Sequence, residues 1–169
     1  MIPLKILTLI VTAHGQPSIL VLEPLEETLE PGVKRIIPIW IGTNEAGQLG
    51  AAIEKVKLPR PMTHDLFLDA LTNLDARVDH VILNDLKGQT FFAKLYLRQG
   101  GRLVELDARP TDAISLALRQ DAPFLITEEL LERASYPYFY APSQNPEEEL
   151  REFRTFLTDL SPDDFEDAE

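Results

Sequence analysis

The sequence has 169 residues, no cysteine and a formal net charge of −12, enough chain for one real core and nothing from which to build a disulfide or thiolate metal site. Apolar residues make up 44%, which excludes a disordered chain. The apolar run around Ile6 to Ala13 is too short to span a bilayer and follows no basic segment, so the expectation is a cytoplasmic protein with no membrane association.

Along the chain, "LKILTLIVTA" reads as a strand, "HGQP" (14–17) as a turn and "SILVLEP" as a returning strand. A polar loop with Pro31 and Gly32 leads to "RIIPIWIG", a β-rich run in which Pro38 favours an edge or a bulge. A helix follows, with Leu49, Ile53 and Val56 on one face, Thr43 or Asn44 as cap and Glu45 in its first turn. In "LPRPMTHDLFLDALTNL", Thr63 is the expected cap and Leu66, Phe67, Ala70, Leu71 and Leu74 the buried stripe. "RVDHVILND", "QTFFAKLYLR" and "RLVELDA" read as a three-strand meander with turns at Asp85 to Gly88 and Gln99 to Gly101. A helix starting at Thr111 buries Ala113, Ile114, Ala117 and Leu118, with Leu116 extending that face. "APFLIT" is then a short strand, and Thr127 caps a short helix ending near Ala134.

"YPYFYAPSQNP" reads as a loop packed down by its aromatic residues. Asn145, Pro146 and Glu148 form a start signal for a last helix, whose buried stripe is Leu150, Phe153, Leu157 and Leu160. Phe165 is the one large apolar anchor after Pro162. Charge divides the chain here: residues 143–169 hold ten acidic side chains against Arg151 and Arg154, which leaves residues 1–142 at only −4. We therefore divide it into a main domain, 1–142, and an acidic C-terminal helix and tail, 143–169. An acidic protein does not attract nucleic acid by its overall field, although a near-neutral domain has room for a local basic patch.

Arg60-Pro61, Thr63 and Asp65, then a helix, then "RVDHVIL", share a plan with Arg109-Pro110, Thr111 and Asp112, then a helix, then "APFLI". This reads as an internal duplication of a turn–helix–strand unit. The strings "IPIWIG", "PRPMTHDL", "FFAKLYL" and "DARPTDAISLALR...APFLI", in this order and at this spacing, resemble the bifunctional nuclease domain over residues 1–135. "FRTFLTDLSPDDF" is similar to a C-terminal extension of some bacterial members. The resemblance implies an α+β fold with a bent mixed, largely antiparallel sheet, helices packed on it and an internal duplication. It also implies nuclease activity, with RNA or DNA as the substrate.

Such chemistry needs an attacking water and a group that neutralises phosphate charge, usually Mg²⁺ or Mn²⁺ held by carboxylates, or His with Arg or Lys. Candidate metal ligands are Glu45, Asp65 and Asp112; candidate catalytic residues are His64, Asp65 and Asp112. Arg60, Arg109, Lys55 and Lys57 are candidates for phosphate binding. Each has a plainer reading. Asp112 and Asp65 suit helix N-termini, Arg109 pairs with Asp112, and "KVKLPR" suits a helix C-terminus. Asp85 and Asp107, at strand ends, serve turns equally well. If Glu45, Asp65 and Asp112 meet in one cleft, a metal site follows; if they point apart, it does not. The alternative function is a non-catalytic binding or scaffold protein, a homo-oligomer with a dimer favoured. Trp40 and the aromatic run Tyr136 to Tyr140 would suit its interface.

Overall fold

A computed structural model describes residues 1–12, 15–25, 33–139 and 146–165. The chain opens with β1 (Ile2–Ile10), β2 (Ser18–Pro24) and β3 (Val33–Ile41), paired as antiparallel neighbours. The middle strand β2 is buried along nearly its whole length, because its alternating residues feed cores on both faces. Leu20 and Leu22 join the main core and Val21 a smaller one. Pro38 is tolerated because the outer neighbour of β3 pairs only with Val33 to Ile36, leaving that side open beyond it. The turn residue His14 and the loop with Pro31 and Gly32 lie outside the described residues.

Two helices follow, α1 (Thr43–Ile53) and α2 (Thr63–Asn73). The expected caps are displaced by one residue: Gly42 and Met62 are the N-caps, and Thr43 and Thr63 are already helical. Leu49 is buried in α1, but Ile53 is exposed and Val56 lies beyond the helix, also exposed. The phase of α2 also differs from expectation. Leu68 and Leu71 face the core, whereas Leu66, Phe67, Ala70 and Leu74 are exposed. Two apolar stripes run along this helix, and periodicity alone does not say which one faces inward.

The expected meander is β4 (Ala76–Lys87), β5 (Thr90–Gln99) and β6 (Arg102–Ala108). Its first turn is tighter than expected, with Asp85 inside β4. At the second turn Gly100 and Gly101 take φ of 52° and 82°, the pair of positive values that a primed two-residue turn demands. Then come α3 (Pro110–Arg119), β7 (Phe124–Ile126) and α4 (Glu128–Ala134). Proline at the first position of α3 spares a backbone donor that has no helical partner. The Thr127 hydroxyl accepts the Leu130 N–H to cap α4. The segment read as an aromatic loop begins instead with a strand, β8 (Tyr136–Phe139), paired with β3. The last elements are α5 (Pro146–Asp159) and a 3-10 turn, Pro162–Phe165. Tyr140, Asn145 and the side chains of Glu148 and Phe165 lie outside the described residues.

Among the described residues eight strands form one mixed sheet in the order β6-β5-β4-β7-β1-β2-β3-β8, in which only β4 and β7 run parallel. This is the α+β architecture that the sequence leads one to expect. Residues of α1 to α4 pack with one face of the sheet in the main core, while Phe153 and Leu157 of α5 pack with Val21 and Ile36 in the smaller core. Leu150, assigned to the buried stripe of α5, is exposed. The two stretches that share a plan occupy like places: α2 packs on α3, and β4 lies beside β7. Among the described residues no helix is long and apolar enough to cross a membrane.

Candidate active site

Glu45, Asp65 and Asp112 all occupy the third position of their helices, where a carboxylate favours the dipole. From there their paths divide. Asp65 accepts the Met62 N–H at 2.9 Å through one oxygen and Arg119 Nε at 2.9 Å through the other. The Met62 bond is the main reason its carboxyl sits below the usual range, with Arg119 adding to it. Arg119 also donates to the carbonyls of Ser115 and Gln48. This mostly buried guanidinium therefore ties α1, α2 and α3 together. The sequence hint was an arginine seven residues after Asp112, two turns further along the same helix.

Asp112 and Glu45 meet instead on Arg109. Arg109 donates to Asp112 in a fork, from Nε at 2.7 Å and Nη2 at 3.2 Å, and from Nη1 to Glu45 at 3.0 Å. Burial pushes the Asp112 carboxyl up, but the hydrogen bonds and charge of Arg109, supported by His64, outweigh it and hold the group below its usual range. Arg109 is in turn held more firmly in its charged form, first by Asp112 and then by Glu45. A guanidinium has five N–H donors; three are committed here, and the other two have no partner among the described residues. The side chain is 64% exposed.

His64, in the first turn of α2, closes the cluster. Its Nε2 lies 3.3 Å from Asp112 Oδ1 and its Nδ1 3.4 Å from Gln48 Oε1. Its side chain is mostly buried. Gly42, the α1 cap, matters sterically: a Cβ there would run into the Glu45 carboxylate. Gln48, Arg119 and Gly42 are site residues that sequence reasoning missed.

The other candidates lie elsewhere. Lys55 pairs with Asp121 at 3.1 Å, at the far end of α3, about 15 Å from Arg109 for ten residues of helix. Lys57 and Arg60 are exposed on the segment between α1 and α2. Asp85 accepts the Leu86 N–H and faces Lys87 and Arg133. Asp107 lies near Lys94, at 3.7 Å. The three carboxylates proposed as metal ligands thus do not surround a common point: Asp65 belongs to Arg119, and Glu45 and Asp112 are bridged by Arg109. Among the described residues no group of three or more His, Asp or Glu is arranged to hold a metal ion.

Beside the cluster runs a cleft of about 750 Å³ between α2 and the β5–β6 edge. Phe67, Phe91, Leu95, Leu106 and Leu116 line it, and His64, Arg109 and Asp112 stand along one side. A mostly apolar cleft with a few converging polar groups is the usual form of a ligand site.

Comparison with known proteins gives a consistent picture. The bifunctional nuclease domain profile matches residues 26–138. An uncharacterized protein of Mycobacterium tuberculosis is 34% identical over 151 residues, covering 85% of this chain and 88% of the relative. Bifunctional nuclease 2 of Arabidopsis thaliana is 29% identical, and bifunctional nuclease 1 of Oryza sativa subsp. indica 24%, each over 105 residues and 60% of this chain. The match spans 32% of the length of either plant protein.

Proposed function

This chain belongs to the bifunctional nuclease domain family, and we propose that it hydrolyses phosphodiester bonds of RNA or DNA at the Arg109 cluster. The observation that carries this reading is the meeting of three helix starts. An exposed arginine, Arg109, joins Glu45 of α1 to Asp112 of α3 with two donors to spare, and Asp112 in turn meets His64 of α2. Helix N-termini favour anions, and a guanidinium tip offers two parallel donors to a phosphate. Arg109 would hold a phosphate oxygen pair, with Glu45 and Asp112 fixing its orientation. A water oxygen bonds to phosphorus, one P–O bond of the strand breaks, and a proton passes to the departing oxygen. The His64–Asp112 pair handles the proton traffic.

Purified protein incubated with single-stranded RNA and DNA, with Mg²⁺, Mn²⁺ or EDTA, tests this beside Arg109→Ala and Asp112→Ala. The cluster as arranged supports cleavage that persists in EDTA and falls about 100-fold or more in Arg109→Ala, the scale for losing one preorganised charge-stabilising donor. Equal cleavage by wild type and both variants would trace the activity to a contaminant and sink the reading. Cleavage abolished by EDTA would instead require a metal to displace Arg109.

One observation favours a second reading, a homo-oligomer: Leu66 on α2 and Leu74 at its C-terminal cap stand 61% and 62% exposed and do not line the cleft. Sedimentation of wild type and Leu66→Glu decides it. A wild-type dimer dissociated by the charge supports association through this face.

A further inference from the structure

We infer that the cleft between α2 and the β5–β6 edge seats an unpaired nucleobase on Phe67, so that the substrate is a single strand; this rests on the reading of Arg109 as the phosphate-holding group. Phe67 is 40% exposed, a large ring left in solvent on a helix whose other stripe already fills the core. It stands one helical turn from His64 and lines the cleft together with the apolar Phe91, Leu95, Leu106 and Leu116. At about 750 Å³ the space exceeds what one base requires. Thr63 and Thr90 also line the cleft. A base laid on Phe67 has its phosphate at the Arg109 end, where the two uncommitted guanidinium donors point a positive charge at it.

Charge decides between a single strand and a duplex. A protein that grips duplex DNA without reading bases relies on many phosphate contacts, of order 6–10. This chain carries −12, and the cleft margin holds the exposed Asp107 as well as Arg109. No extended cationic track accompanies Arg109 in the cleft lining. Attraction must therefore come from stacking, which is tolerant of sequence and is available only to a base outside a helix, with one phosphate contact fixing its register. A phosphate-only binder would have the reverse balance.

The test is titration of a short DNA strand containing 2-aminopurine, alone and as the matched duplex, with cleavage of both forms followed in parallel. Stacking on Phe67 quenches the fluorescence of the single strand. Phe67→Ala is expected to weaken single-strand binding about tenfold and abolish the quench, and Phe67→Trp to restore both. With one phosphate contact, log affinity falls with log salt at a slope near ~0.7, and Arg109→Ala removes most of that dependence. The inference is overturned if duplex and single strand bind alike, if Phe67→Ala binds as wild type does, or if the salt slope shows many contacts. It is also overturned if Phe67→Ala splits a dimer while wild type gives no quench, because a second copy then covers the cleft. Cleavage that depends on Arg109 but not on Phe67 would leave the hydrolase reading intact and remove only this one. Quenching without any cleavage would do the opposite.

Discussion

Arg109 is held on two sides by carboxylates, and its donor geometry explains why lysine would be a poor replacement. A lysine ammonium is a point charge that does not reproduce the fork to Asp112 together with the bond to Glu45. Arg109→Lys is expected to lose most of the cleavage rate, measured under single-turnover conditions, while phosphate-analogue binding weakens less. Gly42 acts through the same network. Gly42→Ala should push the Glu45 carboxylate off Arg109 and cost about 1 kcal/mol of stability as a poorer cap. If displacement is the cause, Gly42→Ala and Glu45→Ala each slow cleavage, and the double variant is no slower than the worse single one. Additive losses would refute it.

The acids also set a pH response. Asp65 and Asp112 have folded-state values below their ordinary ones, so the unfolded chain binds protons more readily than the folded one as pH falls. Their stabilisation is therefore complete above the unfolded value of about 3.9 and is lost as pH drops through the lower, folded values. Urea midpoints taken from pH 6 down to pH 2 should fall in that window, and less steeply in Asp65→Asn. A midpoint independent of pH there would contradict the assignment.

At the scale of single elements, α2 separates what the sequence disclosed from what it hid. Its existence was legible from the Thr63 start signal and the spacing of apolar residues, and its start to within one residue, but its orientation was not. Leu66 and Leu68 are equally apolar, and only the position of α3 and β4 selects Leu68 for burial. Leu68→Ala is expected to cost about 3 kcal/mol and Leu66→Ala under about 0.5 kcal/mol by urea denaturation; the reverse order would mean the helix is turned. Likewise, the sequence put Asp65 and Asp112 in equivalent first turns, yet Arg119 takes one and Arg109 the other. No local pattern reports which of two arginines will face an acid from another helix. β8 was missed for a similar reason: four aromatic-rich residues become a strand because β3 offers an open edge. Arg119→Ala should destabilise the fold by about 2 kcal/mol, the scale of hydrogen bonds to a charged group.

Across the whole molecule, the candidate site and α5 lie on opposite faces of the sheet. Arg109 and its partners draw on α1, α2 and α3, whereas α5 covers Val21 and Ile36 on the other side. Leu157 is essentially fully buried there, so Leu157→Ala should cost about 3 kcal/mol without changing the cleavage rate per folded molecule. The join between the two halves of the sheet is much smaller than either. Three residues of β7, Phe124–Ile126, sit between β4 and β1 and, among the described residues, are the only strand linking the meander to the N-terminal hairpins. During synthesis on the ribosome, both panels can zip up early, since each is built from neighbours along the chain. They stay unfastened until that tripeptide clears the exit tunnel, which makes a nascent chain cut short just before Phe124 a pair of sheets with two raw margins, open to capture by chaperones or by one another.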